Sequence, residues 1–131
     1  MPELTSDDAP AEPPEPESLE EAAEAIRAKG TRALGVSTNV RRTDELRRLV
    51  DETVREFGRV DILVNNVGGA VGGNPDVFRG DDSAFQDALV LNLTSAFWAI
   101  RAVAPSMRER GYGRIINIGS GASRRASASP G

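Results

Sequence analysis

Three stretches of the chain place apolar residues at helical intervals. Ser18 opens the first: its hydroxyl suits an N-cap, Glu21 stands where a capping box needs it, and Leu19, Ala22, Ala23 and Ile26 share one face before Gly30 ends the run. The second is predicted to start with Thr43 as N-cap and Asp44 and Glu45 in the positive first turn. Its stripe is Leu46, Leu49, Val50, Val54 and Phe57, and Gly58 closes it. Ser83 and Gln86 form the capping box of the third and longest helix, 83–110. There Phe85, Leu89, Leu93, Ala96, Ile100 and Val103 fall on one side of a regular wheel, and Leu91, Trp98 and Ala102 on the other. Between the helices lie runs with strand character: 32–40, the nearly unbroken apolar run 60–64, and 114–118. Strands alternating with helices of these lengths predict βαβ units in a right-handed parallel sheet of three strands and three main helices, an α/β architecture.

Composition narrows the chemistry. The chain has 131 residues, of which 39% are hydrophobic and 27% charged, which suits one modest domain. Residues 1–17 hold five of the eight prolines among acidic and small residues, and are expected to be a disordered tail preceding a single domain over 18–131. The net charge of -4 is uneven: the first 24 residues carry nine acidic and no basic side chains, leaving the remainder net positive. That positive charge is scattered arginine without interleaved aromatics, so no nucleic-acid partner is expected. The absence of a run of eighteen apolar residues and of a signal pattern argues against a membrane partner and for a cytoplasmic chain. With no cysteine and no histidine, the sequence lacks the side chains for disulfides, thiolate chemistry, ordinary zinc sites and histidine-based triads, and no metal site is expected. Abundant Ala, Gly and Arg suggest a GC-rich bacterial gene.

Three motifs remain. Asp61-Ile62-Leu63-Val64-Asn65-Asn66-Val67-Gly68 resembles the Asn-Asn-Ala-Gly motif of the short-chain dehydrogenases/reductases, with Val67 in place of alanine. Leu91-Asn92-Leu93 follows in the long helix, and Gly113-Arg114-Ile115-Ile116-Asn117-Ile118-Gly119-Ser120 resembles the family strand that ends in a catalytic serine. The resemblance runs in order from about Pro16 onward. It implies a partial Rossmann-type doubly wound sheet and an oxidoreductase that moves hydride between NAD or NADP and a small-molecule alcohol or carbonyl. On that resemblance Asn92 and Ser120 are the catalytic asparagine and serine. Asn65, Asn66, Val67 and Gly68 line the cofactor, and Asn39 and Val40 stand where the family contacts adenine, with asparagine in place of the usual aspartate. Each residue also has a plainer reading: a satisfied turn at Asn65 and Asn66, a helix carboxamide bonded to backbone at Asn92, a loop serine at Ser120, and a strand-terminal asparagine at Asn39.

The family's glycine-rich first turn and its Tyr-x-x-x-Lys pair have no counterpart in the sequence. The cluster Gly68–Gly73 follows a later strand and is not that fingerprint. The only tyrosine, Tyr112, precedes the serine strand, and Lys29 ends the first helix. The expectation is an internal fragment without catalysis of its own. In the strand order 3-2-1-4-5-6, lacking strands 1 and 2 would leave 32–40 about 14 Å from 60–64, so that segment either pairs directly beside 60–64 in another order or stays poorly ordered. Two further readings stay open. One is a non-catalytic interaction module, with a homo-oligomer forming through helix 83–110. The other is a Rossmann-like methyltransferase, which does not account for Asn92 and Ser120.

Overall fold

The computed structural model describes residues 18–71 and 79–120, so the proline-rich tail, Gly72, Gly73 and the segment after Ser120 lie outside the described residues. The chain divides into two compact units, up to Ser37 and from Thr38 onward. In the first, α1 (Leu19–Arg27) starts as anticipated, with Ser18 Oγ accepting the Glu21 amide at 3.1 Å. Only Ala23 of its stripe is buried, and Leu19 and Ile26 remain about half exposed. The segment after Gly30 turns back on this helix: the Arg27 guanidinium donates to Ala33 O at 3.1 and 3.2 Å, and a side chain on Gly35 would collide with Leu19.

The strand expected over 32–40 does not form. Among the described residues the only sheet has two strands, and 32–39 is without regular structure. Without a neighbouring strand to offer amides, Ala33 O accepts from the Arg27 guanidinium and Asn39 O from the Arg42 amide. Of the two outcomes expected for this segment, pairing beside 60–64 does not occur among the described residues.

The second unit is a βαβ motif with a helix ahead of it. Its elements are α2 (Thr43–Phe57), β1 (Ile62–Asn65), α3 (Asp82–Leu89), a π-helical turn (Val90–Thr94), α4 (Ser95–Glu109) and β2 (Arg114–Asn117). β1 and β2 are parallel, with Ile62 opposite Arg114 and Asn65 opposite Asn117. Backbone bonds at both ends extend the ladder, from Arg114 N to Asp61 O and from Ile118 N to Asn65 O, each 2.9 Å. Two helix starts differ from expectation. The cap position of α2 is Arg42, with Thr43 already helical, and the cap of α3 is Asp81, whose carboxylate accepts Ser83 N at 2.9 Å. Aspartate outcompetes the serine two places on because its two oxygens also take the Ser83 hydroxyl, at 2.9 Å. Those bonds hold the Asp81 carboxyl below its ordinary value, the Ser83 amide contributing most. Gly58 (φ 87°) and Gly111 (φ 66°) end α2 and α4 in the left-handed region, and Tyr112 N reaches back to Met107 O as in a Schellman turn.

The core of this unit lies between α2, α4 and β1. Leu46 (4% exposed), Ala99, Val103 (1%) and Met107 are buried with Ser95. The expected face of the long helix is therefore wrong in its first half: Phe85 and Leu93 are more than 60% exposed. The reason is the π turn. A regular wheel advances about 100° per residue, and one π turn accommodates an extra residue, so every position beyond it is rotated by about that angle relative to those before. The buried row begins at Ser95 and continues at four-residue steps to Met107. By length and mean hydropathy, 82–109 could reach across a bilayer; here part of its apolar surface packs on α2 and β1.

Candidate functional site

β1 and β2 end at the same level, and the residues singled out in the sequence cluster around that carboxyl edge. Asn65 and Asn117 close the two strands as direct register partners, and the Asn65 carboxamide donates through Nδ2 to Asn117 Oδ1 at 2.8 Å. This cross-strand clasp was not anticipated. The signal in the sequence is an asparagine directly after the last apolar residue of each strand, Val64 in β1 and Ile116 in β2.

Beyond Asn65 the chain turns through Asn66, Val67 and Gly68, all exposed, and meets the long helix at Gly69. There Asn92 acts as a two-point clamp. Its Oδ1 accepts Gly69 N at 2.8 Å, and its Nδ2 donates to Gly69 O at 3.1 Å and to Ala88 O at 2.9 Å. The π turn makes this possible. Ser95 N bonds back to Val90 O, five residues earlier, which leaves carbonyls of the preceding turn without their usual amide. Asn92 takes Ala88 O, and Ser95 Oγ takes Leu91 O at 2.7 Å. Gly68 is needed for the close approach, since a Cβ there would stand 2.8 Å from Asn92 Oδ1. Sequence reasoning found Asn92 but neither the π turn nor its partner Gly69.

The remaining positions fall into two groups. Val40, Asn65, Asn66 and Val67 line one small cavity of about 110 Å³ together with Leu46, Leu63 and Ala99, so the end of 32–40 and the turn after β1 do converge. Asn39 stands beside it but is spent on a turn: its Oδ1 accepts Arg41 N at 3.0 Å, and its own amide donates to Glu45 at 2.7 Å. Among the described residues the Asn66 carboxamide has no hydrogen-bond partner, so it is free to meet a ligand. Ser120 lies three residues beyond Asn117, exposed, on the same edge. The turn after β1 and the helix asparagine thus meet at one end of the sheet, the end at which open α/β sheets bind ligands. Among the described residues no cluster of metal-ligating side chains is present.

Residues 13–130 match the model of the short chain dehydrogenase family. The chain belongs to that family. A curated short-chain dehydrogenase relative, 3-oxoacyl-(acyl-carrier-protein) reductase FabG of Staphylococcus epidermidis, is 34% identical over 104 residues, covering 79% of this chain and 42% of the relative. Solved family members agree in fold. An NAD+-bound xylitol dehydrogenase superposes with a TM-score of 0.74 at 34% identity, covering 86% of this chain and 42% of that one. A 7α-hydroxysteroid dehydrogenase complexed with NADH and 7-oxo glycochenodeoxycholic acid gives 0.76 at 33% identity, covering 83% and 42%. The Rossmann-type architecture and the family membership read from the three motifs are therefore shown, and the chain spans about two fifths of the length of these short-chain dehydrogenases.

Proposed function

We infer that the carboxyl edge of β1 and β2 is one wall of the nicotinamide pocket of an NAD(P)-dependent oxidoreductase that acts on an alcohol or carbonyl. The observation that carries this reading is the Asn92 clamp on Gly69: one carboxamide fixes the backbone turn that follows β1 against the helix, at the end of the sheet beyond which Ser120 follows β2 by three residues. The residues present fit such a cofactor on one side. Gly68 and Gly69 keep the turn free of side chains, and Asn66 offers an uncommitted carboxamide. When bound, the nicotinamide supplies the hydride chemistry. The chain's own groups supply hydrogen bonds: Asn66 and the backbone from Asn65 to Gly68 toward the cofactor, and the Ser120 hydroxyl toward a substrate oxygen that gains negative charge. Asn39 and Val40 would border the adenine end.

In this reading 18–131 is part of a Rossmann-type domain in a cytoplasmic chain with a small-molecule substrate. Among the described residues this edge offers a serine and an asparagine but no positioned acid/base, so turnover by this chain alone is not expected. The test is an NMR titration of the full chain with NAD+. Shifts confined to the amides of Asn66, Gly68 and Ser120, without saturation at micromolar cofactor and without turnover, are expected. Shifts elsewhere with these three unmoved would remove the pocket, and micromolar saturation would refute the account of a missing pyrophosphate site.

One observation favours a second reading, a non-catalytic module that self-associates through the long helix. Phe85, Leu93 and Phe97 stand 62%, 64% and 52% exposed along 82–109. A monodisperse monomer by light scattering at 100 μM, a concentration on the order of that used for spectroscopy, would count against it.

A further inference from the structure

A groove of about 250 Å³ runs between α2 and α4, lined by Thr43, Arg47, Trp98, Arg101 and Ala102, none of which lines the cavity beside the asparagine turn. Its polar side chains are all able to donate: two guanidiniums and an indole N–H, which can only donate, and a hydroxyl. Among the described residues none of the four makes a side-chain hydrogen bond or ion pair. Four carboxylates of α2 and α3 are engaged elsewhere. Asp44 and Glu45 are held by Arg42 at 2.8 and 3.3 Å, Glu52 by Arg48 at 3.0 Å, and Asp87 faces Arg41 at 3.9 Å. Asp51, one turn beyond Arg47, forms no ion pair with it. Arg101 is steadied from outside the groove, its guanidinium carbon 5.7 Å from the centre of the Phe97 ring.

A concave, donor-lined space between two arginines and a half-buried indole has the chemistry of an oxyanion site with a flat apolar floor. We propose that this groove binds a phosphate monoester carried on an aromatic ring, the phosphate between Arg47 and Arg101 and the ring against Trp98. Phosphate suits the donor set better than carboxylate, because three terminal oxygens can serve two guanidinium forks and the Thr43 hydroxyl together, where two oxygens cannot. The site is separate from the carboxyl edge and does not depend on the function proposed for that edge.

Trp98 is the only tryptophan, so its fluorescence reports this groove alone. Titrating the full chain with phenyl phosphate is expected to change that emission saturably, with half-saturation about 1 mM for so small a ligand. Arg47→Gln and Arg101→Gln should each weaken binding about tenfold, and the pair together should abolish it, as removal of a charged hydrogen-bond donor does. Arg55→Gln, exposed on the same helix and outside the groove, should bind as the parent does, with far-UV circular dichroism unchanged in all four proteins. Phenol should leave the emission unchanged and benzoate should bind more weakly. Equal affinity in the double variant, equal affinity for benzoate or inorganic phosphate, or no saturable response would overturn the proposal.

Discussion

The two faces of the β1–β2 sheet received different treatment. Leu63, Asn65, Ile115 and Asn117 alternate onto the side where α2 and α4 pack, and Leu63 and Asn65 are half-buried there. Ile62 and Val64 alternate onto the other side and stand 55% and 53% exposed, with Ile116 at 46%. Both faces read identically in the sequence, as the unbroken apolar run of a parallel strand covered on both sides. Apolar character therefore reports what a strand is suited to meet, and says nothing of which covering layer this length of chain supplies. The site belongs to the rim of the covered face, because the helix that buries that face also carries Asn92.

The sharpest test of that asymmetry is a charge on each side. Val103→Asp, at the most buried position of α4, should abolish cooperative thermal unfolding, a loss on the order of 4 kcal/mol or more. Val64→Asp on the bare face should move stability by no more than about 0.5 kcal/mol. Equal damage from both would mean that the bare face is covered in solution. Next in size is Gly68→Ala, which drives a methyl group against Asn92 Oδ1 and should cost about 1–3 kcal/mol while shifting the Gly69 amide resonance. Asn92→Ala removes the clamp without a clash. It should cost about 1 kcal/mol and raise hydrogen exchange at Gly69 about tenfold, leaving exchange in β2 as it was.

The smallest effect should come from pH. The Asp81 carboxyl is held below its ordinary value by Ser83, so its contribution is complete above the usual carboxylate range and is lost as pH falls through the lowered value. Protection of the Ser83 amide should accordingly fade below about pH 4 in the parent chain and be nearly flat across that range in Asp81→Asn. A change spreading into β1 would show that the start of α3 and the sheet are one cooperative unit, weakening the division between the covered core and its periphery.

The elements legible in the sequence were those fixed by local chemistry. Ser18 capped α1, Gly58 stopped α2, and the apolar runs at 62–65 and 114–117 paired in parallel across a helical crossover. What could not be read depended on partners. The segment 32–40 has strand composition, but a strand exists only beside another, and none lies along it. A wheel of constant pitch puts Val103 on the buried side but not Ser95, Ala99 and Met107, and it places Phe85 and Leu93 there although both are exposed. Asn92 was found through its motif, and its plainer alternative, a helix carboxamide bonded to backbone, describes its contacts in the structure. The turn at Asn66 directly follows the end of β1, a relation that sequence does record.

The extra residue at Val90–Thr94 makes the long helix two cylinders set at independent azimuths. One is aimed by the sheet and the other by the loop it grips, so neither orientation has to compromise for the other. Deleting a single residue there would restore even winding, swing 82–89 about a third of a revolution around its axis, and carry the carboxamide away from Gly69 while the packing at Val103 stayed in place.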